Sequence, residues 1–457
     1  MNLKGKKILV IGLGKTGCAV SQFLSGQEAR VVAHDDKESP DILNAMADLN
    51  NYGITCVMDS GSLDLSETDL IVPSPGVPPQ HPLLLAALHR GIKIMSELEL
   101  AFRFINKPII AITGTNGKTT TTRLIGAILS AWGKKVFVGG NIGTPLIHCA
   151  GKDDEFDYLV AEVSSFQLQW IETFHPRIAL LLNMTPDHAD YHGSFDAYRS
   201  AKERIFENQT PDEYAVLNVC TEGTEALAGR IRSQVHFFSS SCSLENGGYV
   251  ENEALHFSLF PEREVYHLDN IRLKGRHNME NIMAAVIAVR LCGCPGTSVS
   301  ETLASFSGLE HRCEYIGEKG GIEFYNDSKG TNVGAVVRAL ESLNDSVLLL
   351  MGGRNKRGDF TPLTELVKRK VRKLILFGEA RYEIGDSLGS LVKTSYTVSA
   401  ADAVVEAIRD SQKGDTVLFS PGCASFDEFA NYEERGMCFK NVVRRYTGLN
   451  ERDKGTM

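Results

Sequence analysis

The chain has 457 residues, is 43% hydrophobic and 23% charged, and carries a formal net charge of −9. That length predicts about three domains at roughly 150 residues each, with enough apolar content to fill their cores. The acidic balance argues against a nucleic-acid-binding surface, and no run approaches the ~18 apolar residues of a membrane-spanning helix.

The first segment, residues 1–95, opens on "KKILVIGLGKTG". Its apolar run is interrupted at Lys15 with no small-residue cleavage site beyond, so it reads as a first strand rather than a secretion signal. The strand leads into Gly12-x-Gly14-x-x-Gly17, and Val20, Phe23 and Leu24 continue as a helix. A second strand, "ARVVAHDD", ends in Asp35 and Asp36, at the distance expected of a ribose-binding acid. "LIVPSPGVPP" is a further strand entering a proline-rich loop. Alone, this pattern suggests a dinucleotide fold.

The second segment, residues 96–305, opens with the strand "PIIAITG". The turn "GTNGKT" follows, then a helix with Leu124, Ile128, Leu129 and Trp132 on one face. The turn differs from the general phosphate loop G-x-x-x-x-G-K-[ST], because only Thr115 and Asn116 separate Gly114 from Gly117. A shorter loop still serves if the helix N-terminus points its free N–H groups at phosphate oxygens. Lys118 then reaches the terminal phosphates and the Thr119 hydroxyl faces magnesium. Two more apolar strands, "YLVAEV" and "IALLLN", reach Glu162 and Asn183, and imply a buried, mostly parallel sheet. Ligands collect beyond the carboxyl ends of such strands, where the turn, Glu162 and the loop "TPDHADYH" all fall.

The third segment, residues 306–457, repeats the alternation with "GIEFYND", "SVLLLMGG", "KLILFG" and "DTVLFSPG". Val333, Val336, Val337 and Leu340 mark one helix face between the first two strands. The polar tail "NERDKGTM" is expected to fray. The ten cysteines contain no CxxC pair and read as reduced thiols of a cytosolic protein.

Several residues stay open on composition alone. Glu162 is either a magnesium ligand or a cap for the "SSFQ" turn. His188 and His192 sit four apart, but in a segment bounded by proline and glycine, which disfavours a helical zinc site. Lys202 in "YRSAKERIF" reads as a solvated helix lysine. Asn278 and Asn281 read as helix caps, and Arg312 as a surface arginine or a phosphate clamp.

Together these stretches resemble the Mur ligase family, the ATP-dependent amide ligases of peptidoglycan precursor synthesis. "TGTNGKTTT" resembles the family's phosphate loop, which folylpolyglutamate synthetases share. "GLGKTG", "SPG", "YNDSKGTN" and "SPGCASFDEF" resemble its D-glutamate-adding branch. The resemblance implies an α/β protein of three domains: a Rossmann-like N-terminal domain for a UDP substrate, a central parallel-sheet ATPase domain, and a Rossmann-like C-terminal domain for the amino acid. It implies that Gly114, Thr115, Asn116, Gly117, Lys118, Thr119, Thr120, Asn278, Asn281, Arg312 and Asp327 bind ATP. Lys15, Thr16, Asp36, Ser74, Gly76, Asn141 and His188 would hold UDP-N-acetylmuramoyl-L-alanine, and Lys329, Thr331, Lys356, Ser425 and Tyr432 would hold D-glutamate.

The resemblance further implies two magnesium ions on Thr119, Glu162, His188 and Lys202, the last carbamylated by carbon dioxide. Lys118, Glu162, His188, Lys202 and Arg312 would then be catalytic, in a cytoplasmic monomer. Asp36 and Lys37 stand where relatives often carry Thr-Arg, Arg354 where some have an acid, and Tyr432 where phenylalanine is more usual. Three rival readings are another amide ligase such as folylpolyglutamate synthetase, a nicotinamide-dependent dehydrogenase and a non-catalytic nucleotide-binding regulator. The dehydrogenase leaves Lys118, Glu162 and the third segment unexplained.

Overall fold

A computed structural model describes residues 1–259, 263–273, 276–306, 308–343, 345–355 and 358–449, apart from the side chains of residues 62, 189 and 190. Lys356 and the tail from residue 450 onward lie outside the described residues. The chain divides into two compact units, one of Met1–Ile271 with Met279–Ser305, the other of Arg272–Asn278 with Phe306–Met457. Three sheets organise them.

The first sheet is fully parallel, with strands in the order Thr55–Val57, Arg30–His34, Lys7–Ile11, Leu70–Pro73 and Lys93–Ile94. Its strand order reverses between Lys7–Ile11 and Leu70–Pro73, the crevice where such folds bind nucleotides. The helix Lys15–Gly26 starts there, and Gly17 must be glycine because a Cβ would lie 1.8 Å from the Gly12 carbonyl oxygen.

The central sheet has nine strands, built around Ile109–Thr113 with Tyr158–Glu162 on one side and Ile178–Leu181 on the other. All three are buried apart from Tyr158 at one strand's start, which is why they read as apolar runs. Strands Val136–Gly140, Tyr214–Asn218, Gln234–Ser239 and Gly247–Glu251 extend the parallel set. Ala254–Phe257 and Glu264–His267 close one edge antiparallel. The strands of this sheet between residues 234 and 267 mix polar and apolar residues and carry little periodic signal.

These two sheets share one apolar core, in which Ile8, Val10 and Leu24 join Leu98, Ile109, Leu159 and Phe174. Two buried carboxylates stitch the same seam. Glu99 accepts from the backbone N–H groups of Glu172, Thr173 and Phe174 at 2.8–3.0 Å. Glu97 accepts from Ile147 N at 2.7 Å and from Gln167 Nε2 at 3.3 Å. Burial pushes the Glu97 carboxyl up to about 6 against those hydrogen bonds.

The second unit holds a six-stranded sheet, ordered Glu314–Lys319, Ile322–Asn326, Thr416–Gly422, Val347–Gly352, Val371–Phe377 and Lys393–Tyr396. Only the first pair is antiparallel. The helix Val333–Glu341 buries Val336 and Leu340 against it. No helix among the described residues is long and apolar enough to cross a membrane.

Candidate functional site

The strand Ile109–Thr113 runs into the short loop and then into the helix Lys118–Ala131. Gly117 caps that helix at φ +84°, a left-handed conformation that glycine adopts without strain. A Cβ there would lie 2.1 Å from Asn281 Oδ1, so glycine is required twice over. The neighbouring strand's end locks the loop. Asn183 Oδ1 accepts from Asn116 N at 2.9 Å, its Nδ2 donates to Asn116 O at 3.0 Å, and its carbonyl accepts from Thr115 N at 3.1 Å.

Charged groups converge on this loop. Lys118 Nζ donates to the carbonyls of Gly114 (2.8 Å) and Thr115 (3.0 Å). Lys202 Nζ donates to the same Gly114 carbonyl at 2.9 Å and lies 3.5 Å from Thr113 Oγ1. Thr119 Oγ1 donates to Glu162 Oε2 at 2.7 Å, and Asn141 Nδ2 to Glu162 Oε1 at 3.1 Å. Glu162 is buried. Ser164, with Gln167, caps the following turn, so the capping alternative for Glu162 falls away.

Lys202 overturns the solvated-lysine reading, because it is only 2% exposed. It lies on the inner face of helix Phe195–Glu203, with its ammonium 4.7 Å from the Tyr198 ring centroid. Among the described residues no carboxylate forms an ion pair with it. Burial, reinforced by the Lys118 charge, holds its amine well below the ordinary lysine range. Tyr198 OH donates to Thr115 Oγ1 at 3.1 Å, which ties this helix to the loop.

His188 sits at φ +52° and packs in an aromatic group with Phe166 and Tyr198. His192 packs against the same two rings, and its Nε2 also meets Ser165 Oγ at 3.0 Å. Tyr191 OH donates to Val77 O at 3.1 Å, joining this loop to the proline-rich loop of the first sheet. Asn278 and Asn281 fall inside the helix Arg276–Leu291 rather than at its cap. Asn281 accepts from Thr121 Oγ1 at 3.3 Å beside Gly117, and Asn278 is buried in the second unit. Thr120 is buried in the first helical turn.

At the first sheet's switch point, Ser74 Oγ donates to Gly12 O at 2.6 Å and Asp35 Oδ2 accepts from Leu13 N at 2.7 Å. Lys15 and Thr16 open the helix, and Gly76 is exposed in the facing loop. Asp36 meets two histidines, His34 Nε2 at 2.9 Å and His81 Nε2 at 2.6 Å. His81 Nδ1 accepts from Leu83 N at 3.2 Å, so its proton sits on Nε2 and points at Asp36. His34 Nδ1 also faces the Val57 carbonyl at 2.9 Å, so both of its ring nitrogens meet acceptors, and one donor atom from each of His34, Asp36 and His81 lies close enough to the others to hold an ion. Burial pushes the Asp36 carboxyl up, but the hydrogen bonds from His81 and His34 outweigh it and leave it below the ordinary range.

In the second unit, Asp327 Oδ1 accepts from Cys313 N at 3.1 Å and Oδ2 from Ser420 Oγ at 2.7 Å, and burial lifts its carboxyl to about 6. Arg312 lies near enough to lower it in part. Lys329 Nζ stands 3.7 Å from the Tyr432 ring centroid. Ser425 is buried where the chain leaves strand Thr416–Gly422, and Thr331 follows Lys329 in a tight turn. Arg435, 1% exposed, donates to Ser328 Oγ, Ser328 O and Cys423 O, and so fastens these loops together. Arg354 pairs with Glu379 through two 2.8 Å contacts.

Sequence reasoning missed three residues of this framework. Asn183 was visible only as a strand end. Tyr198 precedes Lys202 by four residues, the spacing of one helix face. Arg435 follows Tyr432 in the same helix, and no local pattern announces its burial.

A buried lysine and glutamate and a half-buried threonine gathered on a glycine loop, in a unit that also holds a nucleotide-type switch point, fit a phosphoryl-transferring ligase. Family models agree along the chain: Mur ligase MurD-like, N-terminal domain (residues 6–96), Mur ligase middle domain (112–289) and Mur ligase, glutamate ligase domain (311–423). The chain belongs to the Mur ligase family, and it is a ligase. It is 50% identical over 98% of its length to the UDP-N-acetylmuramoylalanine–D-glutamate ligase of Syntrophus aciditrophicus, covering 99% of that protein. It is 46% identical over 97% to the protein of the same name from Geotalea uraniireducens, covering 98%.

Among solved structures, the fold is similar to a pseudomurein peptide ligase type C from Methanothermus fervidus, with a TM-score of 0.61 at 18% identity, covering 97% of this chain and 100% of that one. It is also similar to the UDP-N-acetylmuramate-alanine ligase of Thermotoga maritima, at 0.57 and 19%, covering 97% and 100%.

Proposed function

We propose that this protein joins D-glutamate to the L-alanine carboxylate of UDP-N-acetylmuramoyl-L-alanine, with ATP as the phosphoryl donor. The observation that carries the reading is the convergence of Lys118, Thr119, Glu162 and Lys202 on one short loop. The names of its full-length relatives supply the substrates. The three working parts are taken as residues 1–95 for the UDP substrate, 96–305 for ATP and 306–457 for the amino acid, in a cytoplasmic monomer.

A carboxylate is a poor electrophile. ATP's γ-phosphoryl group passes to it, giving an acyl phosphate and ADP. The D-glutamate amine then attacks the acyl carbon, loses a proton, and phosphate leaves from the tetrahedral intermediate. Such transfers rest on positioning and charge neutralisation. The loop N–H groups of Gly114–Thr120 and Lys118 cradle the phosphates, and Arg312 adds a cation. Asn278, Asn281 and Asp327 hold the nucleotide. Lys15, Thr16, Asp36, Ser74, Gly76 and Asn141 hold the UDP substrate, and Lys329, Thr331, Lys356, Ser425 and Tyr432 the amino acid.

The donor set around Glu162 suits magnesium, since the Thr119 hydroxyl and the Glu162 carboxylate are hard oxygens 2.7 Å apart. Two ions would be held by Thr119, Glu162, His188 and carbamylated Lys202. Bound magnesium neutralises phosphate charge. An ammonium cannot ligate a cation, whereas an amine buried without a carboxylate partner can add carbon dioxide, losing one proton and becoming an anionic carbamate.

The test is phosphate release with UDP-N-acetylmuramoyl-L-alanine and a panel of D- and L-amino acids. D-Glutamate alone should support turnover. Silence with every amino acid, or a preference for another, would overturn the proposal.

A further inference from the structure

Ten cysteines are present, and all are free thiols. Only Cys220 and Cys242 are exposed. They lie in two adjacent loops, because strands Tyr214–Asn218 and Gln234–Ser239 pair in parallel and both end at the same sheet edge. Both sulfurs reach one hydroxyl. Ser239 Oγ is 3.5 Å from Cys220 Sγ and 3.2 Å from Cys242 Sγ. Cys220 Sγ also donates to Ser241 Oγ at 3.4 Å. The two thiols therefore lie within two hydrogen-bond lengths of each other, both exposed, with Cys242 in a run of serines.

The same loop leads to the phosphate site. Ser240 Oγ donates to Glu280 Oε1 on the helix Arg276–Leu291. The next residue, Asn281, accepts from Thr121 Oγ1 and abuts Gly117. Ser240 lies two residues before Cys242, so the segment that carries Cys242 is tied to the helix that backs the glycine loop.

We propose that Cys220 and Cys242 form an oxidation site, closed to a disulfide by a peroxide, that weakens nucleotide binding at the glycine loop. One thiolate attacks a peroxide oxygen of hydrogen peroxide, giving a sulfenic acid and, after protonation, water. The second thiol attacks the sulfenic sulfur, the S–S bond forms, and a second water leaves. The dithiol loses two electrons and two protons, and the peroxide is reduced to two waters. A disulfide needs its sulfurs about 2 Å apart, so both loops must draw inward from their reduced positions. That movement strains the Ser240–Glu280 contact. The dithiol stands by itself, while its effect on ATP rests on the function proposed above.

The full-length protein is treated with hydrogen peroxide, then mapped by non-reducing peptide mass spectrometry. Binding of a fluorescent ADP analogue is measured in parallel, without acceptor or amino acid, so a failure of the D-glutamate assignment leaves the result readable. The expected products are a linked Cys220–Cys242 peptide pair lacking two hydrogens and a nucleotide dissociation constant raised by about fivefold or more. Dithiothreitol should restore both. Cys220→Ser and Cys242→Ser, neither in the catalytic machinery, should bind nucleotide normally and ignore peroxide. Free thiols, or unlinked sulfinic products at both positions, would overturn the disulfide. A disulfide with unchanged nucleotide binding would overturn its control of the loop.

Discussion

The first and central sheets each send a buried strand into a glycine turn and a helix, yet the two turns are furnished differently. At Gly12–Gly17 the neighbouring strand ends supply Asp35, Asp36 and Ser74, which tie down backbone and histidines. At Gly114–Gly117 they supply Glu162 and Asn183, and a distant helix adds Lys202. Both backbones can approach a phosphate. Only the central one brings two lysine amines and the Thr119–Glu162 oxygen pair to its loop, so on the function proposed above one turn would hold a substrate and the other would react it.

The contrast predicts that changes at the central turn lower kcat or raise KM for ATP, and that changes at the first raise KM for the UDP substrate. The largest effect is expected from Lys202→Ala, a loss of about 10³-fold in kcat, partly restored by formate or acetate. Phosphate release with and without added acid measures it, and full activity in plain buffer would remove Lys202 from the chemistry. Gly117→Ala should raise KM for ATP by about tenfold, since a Cβ meets Asn281 and φ is +84°. If its ATP dependence matched wild type, the tight Asn281 contact would carry no function.

A smaller effect is expected from Asp36→Ala, about fivefold in KM for the UDP substrate with kcat and KM for ATP unchanged. A fall in kcat instead would blur the distinction between the two turns.

The smallest effect concerns the seam between the sheets. Glu97 has a carboxyl raised from 4.5 to about 6, so between those pH values the native state holds more protons than the unfolded chain. Stability is therefore greatest below that window and falls by up to about 2 kcal/mol as pH rises through it. Glu97→Gln should remove that part of the slope, as read from urea unfolding at pH 5 and pH 7. An unaltered slope would show that Glu97 does not titrate there.

Much of the central site was legible because it is local. The strand, Gly114, Gly117, Lys118 and Thr119 are contiguous, and Glu162 ends an apolar run. Lys202 was not legible from its own helix. "YRSAKERIF" is polar on most faces, and only tertiary packing turns Lys202 inward beside Ala201 and Tyr198. Asn281 misled for a similar reason, since the helix begins earlier than its asparagines suggested. The central-sheet strands between residues 234 and 267 mix polar and apolar residues too irregularly to stand out, so that sheet is larger than the readable pattern.

The shared core of the first two sheets has a consequence for selectivity. Because Ile8, Val10, Leu98 and Leu159 pack as one body, the span from the Gly12 turn to Glu162 is fixed. A molecule gripped at its nucleotide end by the Gly12 turn would thereby be measured along its length. On the function proposed above, one whose carboxylate fell a residue short or long of Glu162 would be bound but not activated, and the interior packing would act as a gauge for the acceptor.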